Sequence, residues 1–580
     1  MLLINLSTFI VGFATILFIC TNNRRFLTYK GIQILLILTN FAVLSYCTYF
    51  WNKYIVNYGT ETFVIKLNPN TWSGINYELN FKINSLSFLF IFLVIIIGFA
   101  TNIYILNYFK YEERGEEFML LINWFILSMI ILVSGNNFFT IILGWELIGL
   151  TSFLLINFWK FKITTLGCSF KAYSFNKFSD IFLMIAFCSL WNVYKINTID
   201  TLLTVISFNK TNNTNLLWFS GLCLIICSSI KSAQIIGHLW LPDSMEAPVP
   251  ASSLIHSATL VSAGIYLILK FQTLFYITNL ITLIFFLGSV TASYGGIVAA
   301  SQTDVKKLLA YSTISHCGFI FASIALNNFI VTIVYLYLHG IFKAVTFFCV
   351  GSLIKYNNTQ DTRFMGMNKT QLFNITSLII CAVNLGGLPF TFGYLYKQLF
   401  LTLLITSHYQ FIGYGFCVIG MLSSVVYVYK LIYYSCFDFQ KGSLQSTVLY
   451  LQNYKLLWDK LFVNFTYLKF FSFFILYLYA ILFYILVKFY ILKTYIFFFH
   501  TSETLVNDLS FLTNHLIFKS SLSTLYYNLF NITIVTLVLN NWRQNYFFLQ
   551  KFTLLTQLIA FFAGLTCVNW ILKYCLIILI

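Results

Sequence analysis

The run SLSFLFIFLVIIIGFATNIYIL, residues 85–106, decides the class of this protein. It contains no charged side chain. As a helix rising about 1.5 Å per residue it spans the ~30 Å hydrocarbon core of a bilayer. Lipid offers no partners to backbone N–H and C=O groups, so only helices and closed barrels cross it. A barrel reads as short alternating segments, whereas this run, like ILYLYAILFYILVKFYIL at 475–492, is continuous. Across all 580 residues, 59% are hydrophobic and 9% charged, too little polar surface to cover a soluble core of that length. The expected fold is all-α and polytopic, with about 14–16 transmembrane helices.

The net charge of +17 suggests a nucleic-acid partner until its distribution is read. Alternate loops are rich in Lys and Arg. One set holds Arg24, Arg25, Lys30, Lys110, Arg114, Lys160, Lys162, Lys171, Lys177, Lys306, Lys307, Lys355, Arg363 and Lys369; the other holds only Lys53, Lys66, Lys82, Lys195, Lys210 and Lys270. Such a bias places the first set on the inner face and the N-terminus on the outer face. The basic excess is topological, and no nucleic-acid partner is expected. No Arg- and Ser-rich presequence precedes the first apolar run, and residues 1–20 lack the basic start and cleavage site of a signal peptide. The weight of Phe, Tyr, Ile, Leu, Asn and Lys fits translation from an AT-rich organellar genome. The 13 cysteines form no C-x-x-C pair; Cys223 and Cys227 lie one helical turn apart with no nearby ligand cluster, so no zinc or iron–sulfur site is expected. They read as small apolar packing residues.

Three segments are expected. Residues 1–110 hold N-terminal spans and, at 52–83, a polar strand-prone stretch that reads as a hairpin on the outer face. Residues 111–435 form the core. Residues 436–580 begin with a polar interruption at 437–460. They continue through TSETLVNDLSFLTNHLIFKSSLSTLYYNLF, from 501, where Leu505, Leu509, Leu512 and Leu516 recur near helical spacing. With Thr501 or Ser502 as cap and Glu503 in the first turn, this reads as a lateral amphipathic helix on the membrane surface. The alternative is two surface helices broken near Ser520–Ser523. A last apolar run, 553–580, anchors the end.

Against this background the stretch KSAQIIGHLWLPDSMEAPVPASSLIH, residues 231–256, is unexpectedly polar. An ionisable group within a span costs several kcal/mol unless paired or hydrated, so each one is a candidate functional residue. Glu146 lies mid-span in FFTIILGWELIGLTSFLLINFW. Lys231 lies in the span 216–238, and His256 opens the next helix. His339 and Lys343 are four residues apart and share a helix face. Lys397 follows GGLPFTFGYLY. Six such groups on distant helices imply a buried hydrophilic line through the bundle. A buried amine releases its proton more readily and a neighbouring carboxylate restores it, so a making and breaking Glu–Lys contact is a proton switch. Two spans read as broken, at Gly237 and Pro242 after Lys231, and at Gly386-Gly387-Leu388-Pro389 before Lys397. Irregular backbone at membrane depth lines cavities. Interrupted helices in corresponding positions, with the lysine before one break and after the other, are the mark of inverted repeats.

The motifs GWELIGLTSFLLINFW, KSAQIIGHLWLPDSMEAPVPASSLIHSATLVSAGIYL, DVKKLLAYSTISHCGFIF, HGIFKAVTFFCVGSLI and QDTRFMGMNKT resemble the antiporter-like membrane subunits of respiratory complex I. They cover residues 80–435; the long tail resembles the family's distal member by architecture alone. The resemblance implies proton translocation across the mitochondrial inner membrane, coupled to electron transfer from NADH to ubiquinone. It implies no redox centre in this chain, with NADH, FMN, iron–sulfur clusters and ubiquinone bound elsewhere in the complex. Implied partners are other membrane-arm subunits, a chain 4-like neighbour among them, accessory subunits and lipid, cardiolipin above all. By resemblance Glu146 pairs with Lys231, Asp180 is the nearby acid on the next helix, Lys231 and His256 connect towards His339 and Lys343, and Lys397 sits on the output side.

The chain departs from that pattern at several positions. Ile236 replaces a usual proline, Tyr335 a frequent histidine, and His316 a usual glutamine. Lys177 and Ser179 alter the usual residues before Asp180. Gln398 stands where an acid is common, leaving Lys397 without that counter-ion. The alternative family reading is a multisubunit cation/proton antiporter, which shares the core motifs but not the long surface helix. A membrane scaffold without transport has no need of six ionisable groups in spans.

Overall fold

The computed structural model describes residues 12–437, apart from 18–19, 21–28, 52–53, 56–58, 67–77, 111, 113, 209–213, 358, 367–371, 390 and 407–410. The lateral helix expected from 501 and the span at 553–580 lie outside the described residues, as does all but the start of the 437–460 interruption. Helix α1 is Tyr29–Tyr49. Strands β1 (Glu61–Lys66) and β2 (Glu78–Ile83) then pair antiparallel, Glu61 opposite Ile83, which is the hairpin expected within 52–83. The decisive run becomes α2, Ser85–Tyr108. Asn84 starts it with a capping box: its side chain accepts from the Ser87 N–H at 2.9 Å, and its own N–H donates to Ser87 Oγ at 2.7 Å. The helix is buried over almost its whole length, so this apolar run is a central post of the bundle and not a lipid-facing span.

Helices α3 (Gly115–Ser134), α4 (Phe138–Ile156), α5 (Ile163–Tyr194), α6 (Ile199–Phe208) and α7 (Thr214–Lys231) follow. After a short α8 (Trp240–Asp243) come α9 (Val249–Ser257), α10 (Leu260–Lys270) and α11 (Gln272–Ile277). The second half comprises α12 (Ile281–Ser301), α13 (Val305–Ala325), α14 (Phe329–Asn357), α15 (Leu372–Gly386), α16 (Phe392–Thr406) and α17 (Phe411–Ile432). Among the described residues, nine helical segments are long and apolar enough to cross a membrane, α9 and α10 counting together as Val249–Lys270, and four shorter apolar helices accompany them. The protein is a multi-pass helical membrane protein. Lys171 and Lys177, read above as loop cations, lie inside the 32-residue α5. The helix tolerates them because each has an acidic partner, Asp243 for Lys171 and Glu146 for Lys177.

The two halves repeat one packing order: α3 lies on α4 as α12 lies on α13, and α5 lies on α7 as α14 lies on α15. Small residues set the closest approaches, as expected where packing and not hydrophobicity holds helices together. A Cβ added at Gly288 of α12 would sit 2.6 Å from the Ala322 backbone of α13.

Both expected breaks are present, and both are built the same way. Helix α7 ends at Lys231, earlier than Gly237 and Pro242 suggested, because a local motif stops it. The Gln234 N–H donates to Ser229 O at 2.8 Å and the Ala233 N–H to Ile230 O at 3.2 Å, with Ala233 at φ 53°. This is a Schellman termination, with alanine where glycine is usual. At the second break Leu388 N–H donates to Val383 O at 3.3 Å and Gly387 N–H to Asn384 O at 3.1 Å, with Gly387 at φ 68°. The first break is also tied from outside, by Trp240 Nε1 on Ile230 O at 2.9 Å and Thr291 Oγ1 on Gln234 Oε1 at 2.6 Å. Pro242 lies within α8, and Pro250 sits in the first turn of α9, where its missing N–H costs no helical bond. His256 therefore lies in the last turn of α9 instead of opening a helix, two residues before a second interruption at Ala258–Thr259.

Candidate functional site

Adjacent residues on a helix point about 100° apart, and that angle separates Trp145 from Glu146 on α4. Trp145 is buried, whereas the Glu146 side chain is 40% exposed on the flank of α4. There Glu146 accepts from Lys177 Nζ of α5, and Lys177 Nζ also lies 3.6 Å from Asp180 Oδ2, one turn further along. Asp180 is nearly buried and takes a 3.1 Å hydrogen bond from Ser179 Oγ. Lys231, fully buried at the end of α7, places Nζ 5.0 Å from the Trp145 ring centroid and 3.5 Å from Trp145 O. Gly149 faces it: a Cβ there would stand 3.6 Å from Nζ, in ordinary van der Waals contact. In place of the Glu146–Lys231 pairing implied by resemblance, Glu146 pairs with Lys177, and Lys231 rests on the Trp145 indole face. The reason is the helix rotation, which gives the inward position to Trp145.

The second group gathers on α14. His339 and Lys343 share a buried face, as their spacing predicted. Lys343 Nζ donates to Ser312 Oγ and, at 3.1 Å, to Leu309 O, both on α13. His256 reaches the same face from α9, its ring stacked on Phe347 with centroids 5.6 Å apart and its Nε2 3.3 Å from Ser244 Oγ. Among the described residues, His339 Nε2 and His256 Nδ1 are buried without a hydrogen-bond partner. Lys397 of α16 forms a third position, donating to Gly386 O at 2.7 Å and Ser424 Oγ at 2.6 Å. Backbone and hydroxyl oxygens replace the acid that Gln398 removed. A narrow gap lined by His316, Tyr335, His339, Asn384 and Lys397 joins the second group to the third.

The structure therefore assembles Glu146, Asp180 and Lys231 in one cluster, His256, His339 and Lys343 in another, and Lys397 across the gap. Among the described residues no hydrogen bond joins Lys231 to His256, and none joins Lys343 to Lys397. Lys177 as the partner of Glu146, and Ser312, Ser424 and Tyr427 as polar contacts, were not legible as site residues. Ser312 and His316 repeat the four-residue spacing of His339 and Lys343, which is the signal that would have found them. Chemically the arrangement is three groups of amines, imidazoles and hydroxyls, of which the second and third meet at the gap where the His316 and His339 rings lie 5.3 Å apart. Among the described residues Lys343 and Lys397 have no carboxylate within ion-pair distance, so neither is held charged by a fixed counter-ion.

The family described as "NADH:quinone oxidoreductase/Mrp antiporter, TM" matches residues 135–424, which contain all seven of the expected site residues. The NADH-ubiquinone oxidoreductase chain 5 of Paramecium tetraurelia is 41% identical over 395 residues, covering 66% of this chain and 69% of that one. The chain 5 of Wickerhamomyces canadensis is 32% identical over 451 residues, covering 75% and 69%. Among solved structures, a chain of the Mrp complex from Dietzia sp. DQ12-45-1b superposes with a TM-score of 0.66 at 19% identity, covering 92% of this chain and 62% of that one, a likeness of fold.

Proposed function

The chain belongs to the transmembrane family shared by NADH:quinone oxidoreductases and Mrp antiporters, and from that premise we propose that its buried ionisable line carries protons across the bilayer. It is a membrane subunit of complex I, working in proton translocation within a multisubunit oxidoreductase complex. The relatives named chain 5 support the mitochondrial inner membrane as its location. In this reading NADH, FMN, iron–sulfur clusters and ubiquinone are bound by other subunits, and this chain holds no redox centre. A chain 4-like neighbour, accessory subunits and cardiolipin are its proposed partners. The family model covers Mrp antiporters as well, but what favours the cation/proton antiporter reading beyond it is a fold likeness to Mrp at 19% identity, less than half the identity of the Paramecium chain 5.

The observation that carries the reading is Lys177, which bridges Glu146 and Asp180 beside the buried Lys231. A charge displaced towards Glu146 draws Lys177 with it and leaves Asp180 to hold the Lys231 ammonium. The return of Lys177 to Asp180 removes that support and releases the Lys231 proton towards His256. His256 and His339 pass it along the α14 face to Lys343, and Lys397 takes it across the gap. Each transfer uses a neutral acceptor, because a fixed carboxylate would trap the proton as an ion pair.

The test is Lys231→Met in the assembled complex. The rate of proton pumping driven by NADH is expected to fall by about a hundredfold, the lower end for loss of a positioned acid–base group. Unchanged pumping together with unchanged quinone-linked NADH oxidation overturns the reading.

A further inference from the structure

We propose that His316 is a proton-transfer residue of this chain, coupling the Lys343 group to Lys397 through two tyrosine hydroxyls. This rests on the functional reading above. His316 lies mid-way along α13 and is buried. Both of its ring nitrogens are engaged, Nδ1 with Tyr335 OH of α14 and Nε2 with Tyr427 OH of α17 at 2.9 Å. Its ring lies 5.3 Å from that of His339, and it lines the gap that Lys397 closes. Tyr335 is fixed in turn by a parallel stack on Tyr396, centroids 3.8 Å apart, and Tyr396 is the residue before Lys397. One imidazole thus ties three helices together at the point where the hydrogen-bonded line is otherwise interrupted.

A structural role needs only the bonds; two features here go further. A neutral imidazole has one donor and one acceptor nitrogen, so with a hydroxyl on each side it can accept a proton at one nitrogen and release one at the other. In that step the Tyr335 O–H breaks as an N–H forms at His316 Nδ1, and the Tyr335 oxygen takes a replacement proton from the Lys343 side. The Nε2–H breaks as its proton moves to the Tyr427 phenol oxygen, whose own proton leaves towards Lys397. No charge accumulates on either tyrosine if the moves are concerted, and rotation of the hydroxyls with exchange of the ring tautomer resets the unit. The second feature is position: Ser312, which holds the Lys343 ammonium, is one turn before His316 on the same face of α13. The proton held at Lys343 and the two-sided shuttle therefore share one helix face.

The test compares four forms of the assembled complex: His316→Gln, Tyr427→Phe, the double change His316→Gln with Tyr335→His, and Lys343→Met as reference. Glutamine keeps a donor and an acceptor beside both hydroxyls but cannot relay a proton. His316→Gln is expected to lower the rate of NADH-driven proton pumping by about a hundredfold with assembly and melting temperature unchanged. Tyr427→Phe is expected to do the same. The double change returns an imidazole to the α13–α14 contact from the other helix and is expected to restore a large part of the rate, a recovery that packing alone does not give. Wild-type pumping in His316→Gln with Lys343→Met impaired overturns the role of His316 and leaves the buried line standing. Failure of the double change to recover any rate also overturns it. Wild-type pumping in Lys343→Met overturns the functional reading itself.

Discussion

At the scale of single residues, the protein separates two kinds of ionisable group. Glu146 and Lys177 form an ion pair on the flank of the bundle, each side chain about 40% exposed, whereas Lys231, Lys343 and Lys397 are buried. If Lys177 works by moving between Glu146 and Asp180, removing either end disables the same step. Glu146→Gln and Lys177→Met are each expected to slow coupled pumping by about tenfold, and the double variant to be no slower than either, the non-additivity of residues acting as one unit. Additive losses, read as initial pumping rates in the assembled complex, contradict the pair. Which residues ionise in the interior was readable from the sequence, because a charged side chain in an apolar run is conspicuous. Their partners were not. Trp145 and Glu146 are neighbours in sequence and face opposite environments, and that depends on how α4 is rotated against α5 and α7.

The element scale shows why the helix breaks were foreseen but misplaced. Gly237 and Pro242 are conspicuous breakers, yet α7 stops six residues before the glycine, at a turn closed by Ala233 in the left-handed region. Nothing marks that alanine in the sequence. A left-handed non-glycine residue costs about 1–2 kcal/mol, so the turn persists because Trp240 and Thr291 hold its carbonyl and its Gln234 side chain. The absent proline at 236 is therefore compensated both locally, by the Schellman bonds, and by tertiary ties. The paired turn at Gly387 uses the residue that suits it, and a Cβ there would meet the Lys397 side chain at 2.6 Å. Ala233→Gly is expected to raise the unfolding free energy by up to about 1 kcal/mol, with pumping intact. Gly387→Ala is expected to cost about 1–2 kcal/mol and to slow pumping by displacing Lys397. Thermal melting and pumping assays on both variants check this, and equal behaviour of the two contradicts a shared left-handed turn.

Across the whole molecule, the fold class followed from apolar run length, and the repeat was visible as two interrupted spans with their lysines on opposite sides of the break. The structure adds that α3–α4 and α12–α13, then α5–α7 and α14–α15, pack in the same order. Each half thereby presents one buried lysine at a terminated helix, with the His256, His339 and Lys343 group between them. What composition could not supply was continuity. Tyr335 stood out as a replaced histidine, but the hydroxyls of Ser312, Ser424 and Tyr427 that join or hold the charged groups look like ordinary span residues until the helices are placed. The central claim is that these groups act in series. The most direct measurement is the number of protons translocated per NADH oxidised by the complex in sealed vesicles, for the wild type and for Lys231→Met, Lys343→Met and Lys397→Met. A single line predicts that all three variants fall to a similar lowered ratio, whereas a wild-type ratio in any one of them contradicts it.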